Sequence, residues 1–324
     1  MVCLVEDLTP AGHVDGSGPG TLGVPREPLD LAIAGIALSH ICHYLSVLVL
    51  FALTKKVFDG TDKCARSLPV LAAALHIVCP AGAFLSAPYG EALFSLLNFL
   101  GFYIYVLALR DERGGFLFPR DVKFVTAGCI FAAATTVRSN GILSGLLFAY
   151  DALSSVIEIV QARSLKWSGI RRLISIVLGG SVILLGTTAP QYIAYSQYCQ
   201  AASPPRSWCT NTFPSIYAWV QSHYWWALDP PTARGTHHEF TQACLARLAL
   251  PPAMLAVLAI TSYHVQIINR VASGYPVLYW WLASAFLGYG SKESYLLKPR
   301  HVLSGMVMYG IVQASLFASF LPPA

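Results

Sequence analysis

The residues best placed to do chemistry begin with one carboxylate at the start of an apolar run. Pro80, Gly82, Pro88 and Gly90 interrupt the backbone, and Tyr89 sits inside that break. Glu91 follows it, and apart from Ser95 and Asn98 the chain is then dominated by hydrophobic residues as far as Leu109. Spacings of four and three put Glu91, Ser95 and Asn98 on one helical face. A carboxylate in the first turn of a helix is favoured by the helix dipole. At the edge of an apolar span it is costly unless it faces a wet cavity or a partner. Two readings follow: a polar wall of a membrane-embedded site, or an interfacial cap that merely starts the helix. Arg138-Ser139-Asn140-Gly141 is the second element. A guanidinium beside an apolar turn can clamp a phosphate with its planar fork, pair with Glu91, or snorkel from a helix end. Asn140-Gly141 fits a turn that needs φ > 0. The third element is a loop that carries Trp208 and then His223, Tyr224 and Trp225. Such aromatics either mark a membrane interface or form a platform for a sugar or lipid headgroup.

The elements that must position these groups are membrane spans. Of 324 residues, 55% are hydrophobic and 11% are charged, against about 25% charged in a soluble domain. Apolar runs recur from Leu29 to the C-terminus, so the predicted fold is an all-α, polytopic transmembrane bundle of about seven to nine spanning or re-entrant helices. Residues 29–53, 89–109 and 173–195 read as spans. Residues 124–137 and 141–160 read as two shorter ones. The last three, near 248–268, 275–290 and 301–321, are ambiguous, and one of them is expected to be re-entrant. The +5 net charge is modest, and its carriers sit in short loops, a pattern of topology rather than of nucleic-acid binding.

Three basic loops, around Lys55–Arg66, Arg110–Lys123 and Arg163–Arg172, read as cytoplasmic. Parity then puts the N-terminal tail at residues 1–28, the break before Glu91, the Arg138 turn and a long loop at residues 196–247 together on the opposite face. A lumen-facing site needs that convergence, whereas a transporter places polar groups at the midplane. Cys199 and Cys209 are candidates for a short disulfide loop if that face is lumenal. Cys42, Cys79 and Cys129 read as packing residues. His40 and His43 read as buried histidines of the first span, and Asp151 and Glu158 as structural acids. No cysteine or histidine spacing resembles a metal site.

Several blocks resemble one family. They are Pro80–Phe94, Val137–Gly141, Gln191–Cys199, Trp208-Cys209 with Pro214–Tyr217, Gln221–Trp225, Pro276–Trp280 and Phe320–Pro322. Together they are similar to the GPI mannosyltransferase 2 family, the second mannosyltransferases of glycosylphosphatidylinositol-anchor synthesis. The first block and Leu38–Ile41 are closest to filamentous-fungal members.

The resemblance runs from about residue 30 onward. It implies a multi-pass enzyme of the endoplasmic-reticulum membrane with a GT-C-like domain over residues 29–324. Such an enzyme takes mannose from dolichyl phosphate mannose and adds it, α-1,6-linked, to the GPI lipid precursor in the lumen. No metal or other cofactor is expected, and a small membrane-bound accessory subunit is. The implied substrate-binding residues are Tyr89, Glu91, Arg138, Asn140, Trp208, His223, Tyr224 and Trp225. The family's catalytic aspartate is expected in a lumenal Trp-Asp motif. This sequence has no Trp-Asp pair, so the chain is expected to be N-terminally shortened, with residues 1–28 the remnant of that loop. The catalytic base is therefore unassigned. A catalytically inactive membrane subunit of the same fold, or a transporter, remain the alternative readings.

Overall fold

A computed structural model describes residues 28–58, 63–162, 167–200, 209, 239–262, 273–288 and 298–319. These form helices α1 (Pro28–Val57), α2 (Lys63–Ile77), the short α3 (Gly82–Ser86), α4 (Glu91–Arg113) and α5 (Leu117–Val137). A 3-10 segment, Ser139–Ser144, leads into α6 (Gly145–Ala162). Then come α7 (Trp167–Tyr195), α8 (Glu239–Ser262), α9 (Pro276–Phe286) and α10 (Pro299–Ser319). No strand occurs among the described residues.

Among the described residues, four helical runs are long and apolar enough to cross a membrane: Asp30–Val57, Glu91–Arg113, Ser139–Gln161 and Trp167–Gln200. The all-helical, membrane-spanning class stands, and the described residues supply four of the expected seven to nine runs. α5 has the length, but Arg120, Asp121 and Lys123 crowd its first turns. It is also longer than the sequence suggests, because ion pairs accept those charges: Lys123 with Asp111 at 2.5 Å, and Arg120 with Asp121 at 2.7 Å. The 11 residues of α9 rise about 16 Å, roughly half the hydrocarbon thickness.

α4 is the central element, with 61% of its apolar window buried against 28% for each of the other three runs. Its sequence fixes both ends. Glu91 stands in the first turn and Arg110 and Arg113 in the last, each the sign the dipole favours. Gly114 and Gly115 then stop the helix. Gly115 adopts φ +76°, open to glycine without strain, and Phe116 N–H returns to the Asp111 carbonyl at 2.9 Å. Phe94, Phe99, Phe102 and Tyr105 line α4 and are fully buried. Phe102 meets Phe131 of α5 edge to face at 5.2 Å, and Tyr105 meets Phe124 at 5.6 Å.

α5 and α7 run parallel and nearly touch. A Cβ on Gly128 would lie 2.5 Å from the Gly179 carbonyl oxygen, and one on Gly186 would lie 2.6 Å from that of Ala132. Small residues let the two backbones approach, the usual way membrane helices gain packing energy where no water drives them together. α1 secures the break before α4. A Cβ on Gly35 would lie 2.6 Å from the Pro88 Cβ, and one turn on, Ser39 Oγ donates to the Ala87 carbonyl at 2.7 Å. The proline-interrupted segment thus rests against a spanning helix.

The basic loops gather at one end of the bundle. Arg110 donates to the Lys56 carbonyl at 3.2 Å, and Arg171 pairs with Asp121 at 2.7 Å. The break before Glu91, the Arg138 turn and the end of α7 lie at the opposite end. The expected 196–247 loop is shorter on both sides. Ser196–Gln200 continue α7 as a wide turn, and Glu239 onward is helical. Other expectations change too. Cys129 is exposed on the outside of the bundle, while Cys42 and Cys79 are buried. His40 is exposed. Among the described residues the fully buried histidine is His76 of α2, whose Nε2 lies 2.9 Å from Ser46 Oγ and whose ring meets that of His43 at 5.1 Å.

Candidate functional site

Glu91 opens α4, and Arg138 closes α5 with extended backbone (φ −144°, ψ 128°). The sharp turn from α5 into the 3-10 segment swings the guanidinium back over the start of α4. Arg138 NH1 donates to Glu91 Oε1 at 2.5 Å. The carboxylate side chain is 1% exposed and the guanidinium 21%, so the buried charge is matched by a partner that still reaches the bundle edge. The guanidinium has five N–H donors. Among the described residues, only the bond to Glu91 engages them.

Gly141 is required for a reason other than the one its sequence suggests. It does not adopt positive φ; it lies against α5, where a Cβ would come within 2.8 Å of the Thr135 backbone. That contact presses the 3-10 segment onto the bundle. Asn140 is half-buried, and its carbonyl accepts from Tyr275 Oη at 3.1 Å. One helical face below Glu91, Asn98 ties three elements together. Its Nδ2 donates to the Gly274 carbonyl at 2.7 Å, and its Oδ1 accepts from Ser144 Oγ at 2.9 Å. Gly274 sits so close to Phe94 that a Cβ there would lie 2.6 Å from the ring. Tyr89 stacks edge-on against Phe84 of α3 at 5.9 Å, two residues before Glu91.

Tyr89, Glu91, Arg138 and Asn140 therefore lie on consecutive segments at one end of the bundle. Cys199 and Cys209 form a disulfide (Cα–Cα 5.5 Å) that closes a loop at the end of α7. Trp208, His223, Tyr224 and Trp225 lie outside the described residues, as do residues 1–27.

A second polar cluster was read in the sequence only as a structural acid. Asp151 of α6 is fully buried. It accepts from Tyr105 Oη, and from Arg247 Nε of α8 at 2.8 Å, with Arg172 at 3.7 Å. Arg172 also pairs with Glu112 at 2.7 Å. The available signal was a lone acid inside an apolar run; its partners, up to 96 residues away, left none.

Membrane-length helices gathered around α4 define a polytopic membrane protein, and at one end of the bundle a guanidinium with one bond to a described residue rests on a buried carboxylate. The mannosyltransferase (PIG-V) family matches residues 26–227 and 239–324. The chain belongs to that family. Its similarity to GPI mannosyltransferase 2 of Aspergillus oryzae is 44% identity over 332 residues, covering 90% of this chain and 74% of the relative. That of Aspergillus fumigatus is likewise 44% identical, over 86% of this chain and 73% of the relative. The Gibberella zeae protein is 35% identical over 90% and 75%. No solved structure matches.

Proposed function

We propose that this chain transfers the second mannose, α-1,6-linked, in GPI-anchor biosynthesis, with Arg138 contacting the phosphate of dolichyl phosphate mannose. Family membership makes it a glycosyltransferase, and the names of its relatives point to GPI-anchor synthesis. The donor, the linkage, the lumenal face of the endoplasmic reticulum and the small accessory subunit belong to the proposal. One observation carries the site: Arg138 is fixed by a buried carboxylate while its remaining N–H groups have no partner among the described residues.

Transfer breaks the bond from C1 of mannose to the phosphate oxygen and forms one from C1 to the acceptor hydroxyl oxygen, whose proton passes to a base or to the departing phosphate. Negative charge grows on the departing phosphate. A guanidinium already oriented by Glu91 meets that charge without reorganising, and the low dielectric of the membrane face strengthens the interaction. Glu91 is a positioning residue here. Its carboxylate also neutralises the arginine when no phosphate is bound.

The test is complementation of a fungal strain that lacks GPI mannosyltransferase 2, with Arg138→Ala, Arg138→Lys and Glu91→Gln. Loss of a donor aimed at developing charge lowers turnover by about 100- to 1,000-fold, so Arg138→Ala fails to complement. Arg138→Lys keeps the charge but loses the fork and complements partially. Normal growth with Arg138→Ala and Glu91→Gln, at wild-type membrane levels, would remove the pair from the site.

A further inference from the structure

The face of α4 that carries Glu91 and Asn98 also carries Ser95 between them. Glu91 is bonded to Arg138, just before the 3-10 segment, and Asn98 is bonded to Ser144 at its far end. Ser95 therefore lies on the same helical face, between the two points where α4 is bonded to Arg138 and to Ser144. Its side chain is fully buried, and its Oγ has no hydrogen-bond partner among the described residues. Asn140 is the second residue of the 3-10 segment, between Arg138 and Ser144, and its Nδ2 is likewise buried without a partner among the described residues. Neighbouring polar groups are satisfied: Asn98 by Gly274 and Ser144, Thr135 by the Phe131 carbonyl, and the Asn140 carbonyl by Tyr275. Two orphaned groups in one seam, beside a guanidinium with spare donors, are a departure from the rule that buried polar atoms are paired.

We infer that Ser95 and Asn140 bind hydroxyl groups of a hexopyranose in the seam between α4 and the 3-10 segment, beneath the Glu91–Arg138 pair. The inference rests on the proposed transferase reading. A serine hydroxyl donates and accepts, and an amide nitrogen only donates. Their common complement is a neutral, oxygen-rich ligand with donors and acceptors side by side. A second phosphate fits poorly, because the buried Glu91 carboxylate repels it. Arg138, the more exposed member of the pair, closes the seam from outside. A phosphate on the remaining N–H groups of Arg138, with the Glu91 bond kept, places the attached sugar at the mouth of the seam. The same chemistry is offered by the mannose of the donor and by the terminal mannose of the acceptor.

The experiment measures binding to the purified full chain in lipid nanodiscs. Two probe pairs are used: dolichyl phosphate mannose against dolichyl phosphate, and a mannosylated GPI precursor against the same lipid without mannose. The wild type is expected to prefer the sugar-bearing member of at least one pair. Ser95→Ala and Asn140→Leu should each lower that preference by about 5- to 30-fold, without lowering thermal stability, since each removes an unsatisfied group. The affected pair identifies whether donor or acceptor sugar occupies the seam. Equal binding within both pairs by the wild type, or unchanged preference in both variants, overturns the inference. So does loss of preference only in variants whose melting temperature has collapsed. Arg138→Ala is read separately through dolichyl phosphate affinity. If it weakens while the Ser95 and Asn140 variants are silent, the phosphate site stands and the sugar site falls. If dolichyl phosphate affinity does not change, the transferase reading of Arg138 fails on its own.

Discussion

Replacing Arg247 by methionine should loosen α8 from the bundle. Asp151 has no exposure, and its bond to Arg247 Nε is 2.8 Å. Removing one partner of a fully buried ion pair costs about 3–5 kcal/mol, because the other charge is left uncompensated. Two features reduce that figure here. Arg247 keeps 18% of its side chain exposed, and Asp151 retains the Tyr105 hydroxyl and the more distant Arg172. About 2–3 kcal/mol is then expected, which corresponds to a roughly 30- to 150-fold rise in local opening.

Cys244 reports that opening. It is 1% exposed and lies one turn before Arg247. The assay uses a chain whose other free cysteines are replaced by serine or alanine while the Cys199–Cys209 disulfide is kept. The labelling rate of Cys244 by a thiol-reactive dye in nanodiscs should rise by that factor in Arg247→Met. In the double variant Asp151→Leu/Arg247→Met no carboxylate is left unpaired, and Arg172 still has Glu112. Protection of Cys244 should largely return. Unchanged labelling in Arg247→Met, or a double variant worse than the sum of the single ones, would refute the reasoning that this pair holds α8.

Further outcomes follow from packing and from the disulfide. Gly128→Ala places a methyl group 2.5 Å from the Gly179 carbonyl, a backbone atom that no side-chain rotation can move aside. α5 and α7 must separate, and thermal unfolding in detergent should show a loss of about 1–3 kcal/mol. An unchanged melting temperature would mean the two helices are not in that contact. Cys199→Ser should abolish a mobility difference between reduced and non-reduced protein that is present in wild type and in a chain whose six other cysteines, Cys3, Cys42, Cys64, Cys79, Cys129 and Cys244, are replaced. Absence of that difference in wild type would count against the pairing.

The central α4, the break before it and the possible ion pair of Glu91 with Arg138 were legible in the sequence, because each has a local signature. Proline and glycine cannot sustain a helix, an apolar run of membrane length has few other fates, and a carboxylate beside such a run calls for a partner. The basic loops were legible for the same reason: charge asymmetry is a property of composition. What sequence reasoning mistook were matters of neighbourhood. Gly141 reads as a positive-φ turn, yet serves as a point of backbone approach to Thr135. Cys129 and His40 sit in apolar runs but face outward, since a membrane helix that is apolar all round gives no periodic sign of its inner face.

The sequence by itself determined the solvent this protein lives in, the ends of its central helix and the family to which it belongs, because hydrophobicity, helix-breaking and motif order are read along the chain. Only the tertiary structure decided which polar groups meet. Asn98 finds the Gly274 carbonyl 176 residues away, and Asp151 finds Arg247 96 residues away. Hydrogen bonds and ion pairs act over about 3 Å, a distance that chain order does not encode. Whether Ser95 finds a partner is settled only when α4, the 3-10 segment and the turn at Gly274 are brought together.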